Sequence, residues 1–202
     1  MSRKTSGWVV VGKKEILKTP YVSFEAWQVR HKTDASNTLR DFSMVLARDY
    51  IAVIGRTETG QAVLCIEDHV ADGLDLQVAC GAINKGETAL AAAQREFGEE
   101  SGWHAQQLIP LGAAIPQNDR IVSATEGNDG AKTCYMFLAT GLTPDKQRLE
   151  PSEKIRPILV PWDEAVRAAW SGEVIGSAGL ALTDMGSRLI LLLADHALKS
   201  NV

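Results

Sequence analysis

The chain has 202 residues, 45% of them apolar and 23% charged, which is enough to bury one sizeable core and excludes a disordered segment. Lys and Arg total 21 against 25 Asp and Glu, a formal balance of −4 with no basic run, so the electrostatic footprint of a nucleic-acid or anionic-membrane binder is absent. No apolar stretch approaches the roughly 20 residues of a membrane span, and no apolar segment follows the charged start at Met1–Thr5 as a signal peptide requires.

In chain order, alternating and β-branched segments come first. Tyr21 to Lys32 is predicted as a strand, then Phe42–Ala47, Tyr50–Arg56 and Ala62–Ile66. The last two are separated by Thr57-Glu58-Thr59-Gly60, a hairpin turn with a glycine available for positive φ. After Gly86 the period changes. Leu90, Ala93 and Phe97 recur at i, i+3 and i+7, which predicts a helix over Glu87–Ser101 closed by Gly102 as its C-terminal cap. Strands are expected again at Leu108–Ala113, Thr133–Thr140 and Ile155–Val160, and closing helices at Pro161–Trp170 and Gly179–Lys199. Ile115–Lys132 is long and polar, carries Gly127 and Gly130, and reads as a functional loop. The fold class is α/β, a mixed sheet with helices packed on it. The expected division is an N-terminal strand region over 1–45 and a main domain over 46–202. Cys65, Cys80 and Cys134 form no CxxC pair, which suits a reducing cytoplasm.

The chemistry concentrates on the first helix. Glu96, Glu99 and Glu100 lie at i, i+3 and i+4, so three carboxylates project from one face. Like charges this close repel by roughly a few tenths of a kcal/mol per pair. A hard divalent cation with oxygen ligands, Mg²⁺ or Mn²⁺, relieves that repulsion; a solvated acidic face is the other reading of such a cluster. Arg95 stands one turn before Glu99 and can orient it, and Glu87 can cap or brace the helix start. Gly81 and Gly86 let the preceding loop turn tightly.

The spacing of this segment resembles the Nudix box: Gly, five residues, Glu, seven residues, Arg-Glu, an apolar residue, any residue, Glu-Glu, any residue, Gly, an apolar residue. Gly81, Glu87, Arg95, Glu96, Phe97, Glu99, Glu100, Gly102 and Trp103 meet every fixed position. Its seven identity-fixed positions coincide by chance in a chain of this length on the order of once in a million. The resemblance implies a Nudix-type α/β/α sandwich with a mixed sheet, and hydrolysis of a nucleoside diphosphate linked to another moiety. It also implies metal ligands at Glu96 and Glu100, a ligand or base at Glu99, and completion of the metal site by the backbone carbonyl of Cys80.

Outside the box the chain is similar to the ADP-ribose pyrophosphatase and nucleotide-sugar branch of that family. Phe24-Glu-Ala-Trp-Gln-Val-Arg-His31 resembles the strand with which that branch forms a homodimer, often domain-swapped. Glu150-Pro-Ser-Glu153-Lys-Ile-Arg156 resembles its closing segment, whose acidic loop supplies a base or a further metal contact. The resemblance implies Glu153, with Glu150 second, in that role, and Tyr21 as the aromatic that stacks on the base; Arg30, Arg48 and Glu150 are further candidate substrate contacts. Asp119, Glu126 and Asp129 are rival bases on the long loop. His69 and His104 have no partner at ligand spacing and read as structural. The chain departs from the branch at Ile66-Glu-Asp-His-Val70 and Leu76-Gln-Val-Ala-Cys-Gly81, where an arginine that would fork onto a phosphate is missing; Arg48, Arg56 and Arg120 are substitutes by charge only. The expected activity is pyrophosphate-bond hydrolysis of ADP-ribose or a nucleotide sugar. The alternatives are a nucleoside triphosphate or dinucleoside polyphosphate substrate, or a non-catalytic nucleotide sensor.

Overall fold

The structure is a computed structural model that describes residues 7–112, 114–116, 120–126 and 130–200. Asp119, Asp129 and Gly127 lie outside the described residues. In chain order the elements are β1 (Trp8–Lys18), β2 (Val22–His31), β3 (Arg40–Ala47), β4 (Tyr50–Arg56), β5 (Gln61–His69), β6 (Gly73–Gln77), β7 (Ala79–Ala82) and α1 (Ala89–Ser101). They continue with β8 (Trp103–Pro110), β9 (Ile115–Pro116), β10 (Ile121–Ser123), β11 (Thr133–Pro144), β12 (Ile155–Pro161), α2 (Trp162–Ser171), β13 (Val174–Ile175), β14 (Leu180–Ala181) and α3 (Met185–Ser200). Among the described residues no helix is long and apolar enough to cross a membrane.

The chain divides into two compact units. One comprises residues 1–49 and 116–133 and is built on the sheet β1-β2-β3-β10. β1 was not anticipated from the sequence, because an outer strand exposed along most of its length has no apolar alternation to show. Cross-strand contacts hold it instead. The Trp8 ring meets His31 at 4.9 Å and Phe42 at 5.4 Å, and Lys13 Nζ stands 4.1 Å above the Trp27 ring. The polar segment expected as a free loop is partly pinned, since β10 runs parallel to β3 with Ile121 opposite Val45.

The other unit comprises residues 50–115 and 134–202. Its sheet runs β12-β5-β4-β11-β8, with β6 on β5 and β7 on β4. The central strands are buried on both faces, which is why they read as continuous apolar runs. Alternation then sorts their side chains. Ile51, Val53, Val63, Cys65, Phe137 and Ala139 pack with Ala92, Ala93 and Phe97 of α1, while Ala52, Ile54, Leu64, Met136 and Leu138 pack with the α2 and α3 side, around Trp162, Ala165, Ile190 and Leu191. This is the α/β/α sandwich that the sequence led us to expect.

α3 starts at Met185 rather than Gly179: Leu180–Ala181 are taken by the β13–β14 hairpin, and Asp184 Oδ2 then accepts the Ser187 N–H at 2.6 Å as a helix-start cap. Phe97, fully buried, seats its ring on Gly55; a Cβ there would stand 2.6 Å from Phe97 Cζ and 3.1 Å from Leu142 Cδ1. Gly55→Ala is therefore expected to destabilise the fold by about 1–3 kcal/mol, measurable as a lower urea midpoint at unchanged slope.

Candidate active site

α1 is set in place from both ends. Thr88, extended at φ −81°, caps its start by accepting the Ala91 N–H on Oγ1 at 3.2 Å. Gly102 ends it in the left-handed region at φ 68°, with its N–H donating to Gly98 O at 3.2 Å. The carbonyls left over at the C-terminus find donors in the following segment: Arg148 N–H donates to Glu99 O at 2.9 Å, and Gln147 Nε2 to Glu100 O at 2.7 Å.

Glu87 braces the helix without capping it. Its Oε2 accepts the Asn84 N–H at 2.9 Å, and its carboxylate takes the Arg95 fork, Nε on Oε1 and Nη2 on Oε2, each at 2.9 Å. The same guanidinium reaches Glu96 Oε1 at 2.7 Å and Glu99 Oε2 at 3.2 Å through Nη1, and Nη2 also donates to Ala82 O at 3.1 Å. One cation thus gathers Glu87, Glu96 and Glu99 and ties them to β7. These bonds hold the Arg95 proton more tightly than in free arginine, the Glu87 hydrogen bond contributing most. Lysine offers no planar fork, so Arg95→Lys is expected to lower kcat/KM about tenfold or more while leaving the far-ultraviolet dichroism unchanged.

Two carboxylates are strongly desolvated. Glu100 is only 4% exposed, and burial raises its pKa well above the usual carboxylate range despite the Cys80 N–H that donates to its Oε2 at 3.0 Å. Burial likewise raises Glu96, against the opposing pull of Arg95. Cys80 meets the site through its N–H, and burial pushes its thiol pKa up, so the thiol is not an activated nucleophile. The role of Gly81 differs from the tight turn expected of it. It lies within β7, opposite Ile51 of β4, and any Cβ at this position would overlap the Glu96 carboxylate. Gly86, at φ 77°, is the residue that turns the loop.

The turn before β12 adds Glu153, whose Oε2 accepts the Glu150 N–H at 2.8 Å. Its negative charge acts on both Glu96 and Glu100. Glu67 on β5 acts on Glu100 in the same way, and it went unremarked in the sequence. The signal was there: Val63, Cys65 and Glu67 alternate along one strand face, so the third of them places a charge where the first two are core. His69, expected to be without a partner, stands 3.6 Å from Glu67 Oε2. His104 pairs with Gln94 at 3.1 Å. Tyr21, 70% exposed at the β1–β2 turn, Arg30, bonded to Asn37 Oδ1 at 3.3 Å, and Arg48 and Glu126 belong to the other unit.

Among the described residues no three His, Cys, Asp or Glu side chains stand close enough as they are to hold a metal ion. The donor set nonetheless suits a hard cation: carboxylate oxygens only, two of them desolvated, with Arg95 shared among Glu87, Glu96 and Glu99.

The NUDIX domain matches residues 46–175, which contain this helix, its bracing loop and the Glu153 turn. The chain belongs to the NUDIX family. It is thereby a Nudix hydrolase, and enzymes of this family generally use a divalent metal. The solved structures include one titled crystal structure of ADP compounds hydrolase, similar at a TM-score of 0.75 and 16% identity over 99% of this chain and 98% of that one. That likeness shows the same fold. No curated protein matches the chain.

Proposed function

We propose that this Nudix hydrolase cleaves the pyrophosphate bond of a nucleoside diphosphate linked to another moiety, with ADP-ribose or a nucleotide sugar as substrate. The products would be a nucleoside monophosphate and a phosphorylated remainder. The single observation that carries the reading is the complete box folded as one unit: Glu96, Glu99 and Glu100 on one helix, with Arg95, itself held by Glu87, on Glu96 and Glu99. A sensor that only bound nucleotide would have no need of all three carboxylates. The similar structure is of an ADP compounds hydrolase, which favours the diphosphate-linked class over triphosphates.

In this reading Glu96, Glu99 and Glu100 hold Mg²⁺ or Mn²⁺, with the Cys80 carbonyl as a further contact. Such an ion supplies positive charge at the phosphate oxygens and makes a water more acidic. The chain's own residues do the rest. Arg95 holds one oxygen of Glu96 and one of Glu99 on the same nitrogen, Nη1, and burial keeps Glu100 from competing water. Glu153, on the turn before β12 with one oxygen anchored by the Glu150 N–H, takes the proton from the attacking water. Glu150, on the same turn, is the second candidate for that role and a candidate substrate contact. Tyr21, Arg30 and Arg48, all on residues 1–49, are the other candidate substrate contacts.

The same reading makes residues 1–45 a dimerising region and the protein a homodimer. The β1–β2 hairpin exposes Val11, Ile16, Leu17 and Tyr21, each more than half accessible, apolar surface that a second copy would cover. Cys65, Cys80 and Cys134 are unbridged, consistent with the cytoplasm.

The test is phosphate release, coupled to a phosphatase, across ADP-ribose, nucleotide sugars, dinucleoside polyphosphates and nucleoside triphosphates. Turnover of a diphosphate-linked compound that EDTA abolishes and Mg²⁺ or Mn²⁺ restores is the expected result. Turnover of triphosphates alone would move the enzyme to another substrate class, and tight nucleotide binding without turnover would overturn catalysis altogether.

A further inference from the structure

The sheet face that packs on α1 carries alternate residues of each strand: Val63 and Cys65 of β5, Ala79 of β7 and Ile155 of β12 are all in the core on that side. The β5 row continues to Glu67, which stands opposite Ile155. Across β6, Cys65 pairs with Gln77, a residue only 7% exposed. Its amide Nε2 donates to Glu67 Oε2, the same oxygen that His69 Nε2 approaches at 3.6 Å. Glu67 Oε1 is left without a hydrogen bond among the described residues.

Two further carboxylates share this pattern. Glu100 is anchored through Oε2 by the Cys80 N–H at 3.0 Å, and Glu153 through Oε2 by the Glu150 N–H at 2.8 Å; each keeps its other oxygen free of a hydrogen bond among the described residues. The backbones that carry them are joined, because Gln147 Nε2 donates both to Glu100 O at 2.7 Å and to Ile155 O at 3.0 Å. Glu67 and Glu153 each press on Glu100 electrostatically. A neutral amide fixes a carboxylate without neutralising it, and an anion with only 19% of its side chain exposed, among others of its kind, is costly unless a cation joins them.

We propose that Glu67 is a further carboxylate of the metal-holding wall, on the Glu100 side and away from the Arg95 group, and that Gln77 is the residue that positions it. This rests on the reading of the site as metal-dependent.

The experiment is a Mn²⁺ titration of the full chain, followed by electron paramagnetic resonance of the free ion, with thermal melts alongside. The chains compared are the wild type, Glu67→Gln, Gln77→Leu, the double variant and Glu100→Gln. Glu67→Gln is isosteric and keeps an acceptor for Gln77, so it folds. Each single change is expected to weaken Mn²⁺ binding about tenfold or more, with the double variant no weaker than the worse single, because Gln77 acts through Glu67. Unchanged binding in Glu67→Gln with binding lost in Glu100→Gln would overturn the proposal and leave the metal site standing. Unchanged binding in both would overturn the metal reading itself. A Gln77→Leu change that lowers the melting temperature but not Mn²⁺ affinity would make Gln77 structural only and overturn its positioning role.

Discussion

Glu100→Gln is expected to abolish turnover and, in the absence of metal, to raise the melting temperature. Both effects come from one cause. The side chain is 4% exposed and its pKa lies well above the usual range because of burial, so the metal-free fold bears the cost of an anion in a poorly solvated place. The sign follows from linkage. A carboxyl whose folded pKa exceeds its unfolded value of about 4.3 binds its proton more tightly when folded. Stability from this group is complete below the unfolded value and is lost as pH rises towards the folded value. Glutamine carries no charge at any pH and still offers an oxygen to the Cys80 N–H. The two proteins should therefore melt together near pH 4 and separate as pH rises, with each ~1 kcal/mol of difference read as about 2–4 °C. On the proposed reading of Glu100 as a metal ligand, added divalent metal is expected to reverse the order, because it stabilises the chain that binds it. Loss of the side chain itself should cost more than the roughly 10–100-fold that removing an outer partner of a metal ligand costs. Calorimetry in EDTA from pH 4 to 8 decides the point: a variant that melts below the wild type throughout would mean that Glu100 is paired with a cation already in the metal-free fold.

Much of this candidate site is legible in the sequence. The box spacing placed Glu96, Glu99 and Glu100 on one helix face, Arg95 beside them and Gly102 at the cap, because helical periodicity and left-handed glycine are local properties. Tyr50–Arg56 was read to the residue because a central strand buried on both faces has no polar interruption. The rest depends on contacts distant in sequence. Gln77 and Glu67 meet only because β6 folds back on β5. Gln147 reads as one polar residue in a loop until the fold sets it between Glu100 and Ile155. β1 escaped because ring–ring and cation–ring contacts join it to a neighbouring strand, and it does not bury a face of its own. Gly81 was read correctly as a position for glycine, yet for the wrong reason: a close approach leaves the same mark in a sequence as a tight turn.

That distinction can be measured, and it sets Gly81 apart from Gly55. A methyl group at Gly55 meets Phe97, an aromatic ring fully buried between the sheet and α1, where neither partner has room to move. Stability must absorb the misfit. A methyl group at Gly81 meets instead the carboxylate end of a flexible side chain. The backbone here is the stiffer of the two, because β7 is paired to β4 through Ile51 opposite Gly81 and Ala52 opposite Cys80. The carboxylate swings away, and in doing so it leaves the Arg95 Nη1 that it meets at 2.7 Å. What is lost is the placement of one oxygen pair, not packing. Gly81→Ala is accordingly expected to lower kcat/KM about 10–100-fold, with a melting temperature within about 4 °C of the wild type. Adding Glu96→Ala to Gly81→Ala should cost no further turnover beyond Glu96→Ala alone, since both changes act through the same carboxylate. Unchanged kcat/KM in Gly81→Ala would show that Glu96 does its work from some other position. A large fall in melting temperature at full activity would show that the strand yields and the carboxylate holds.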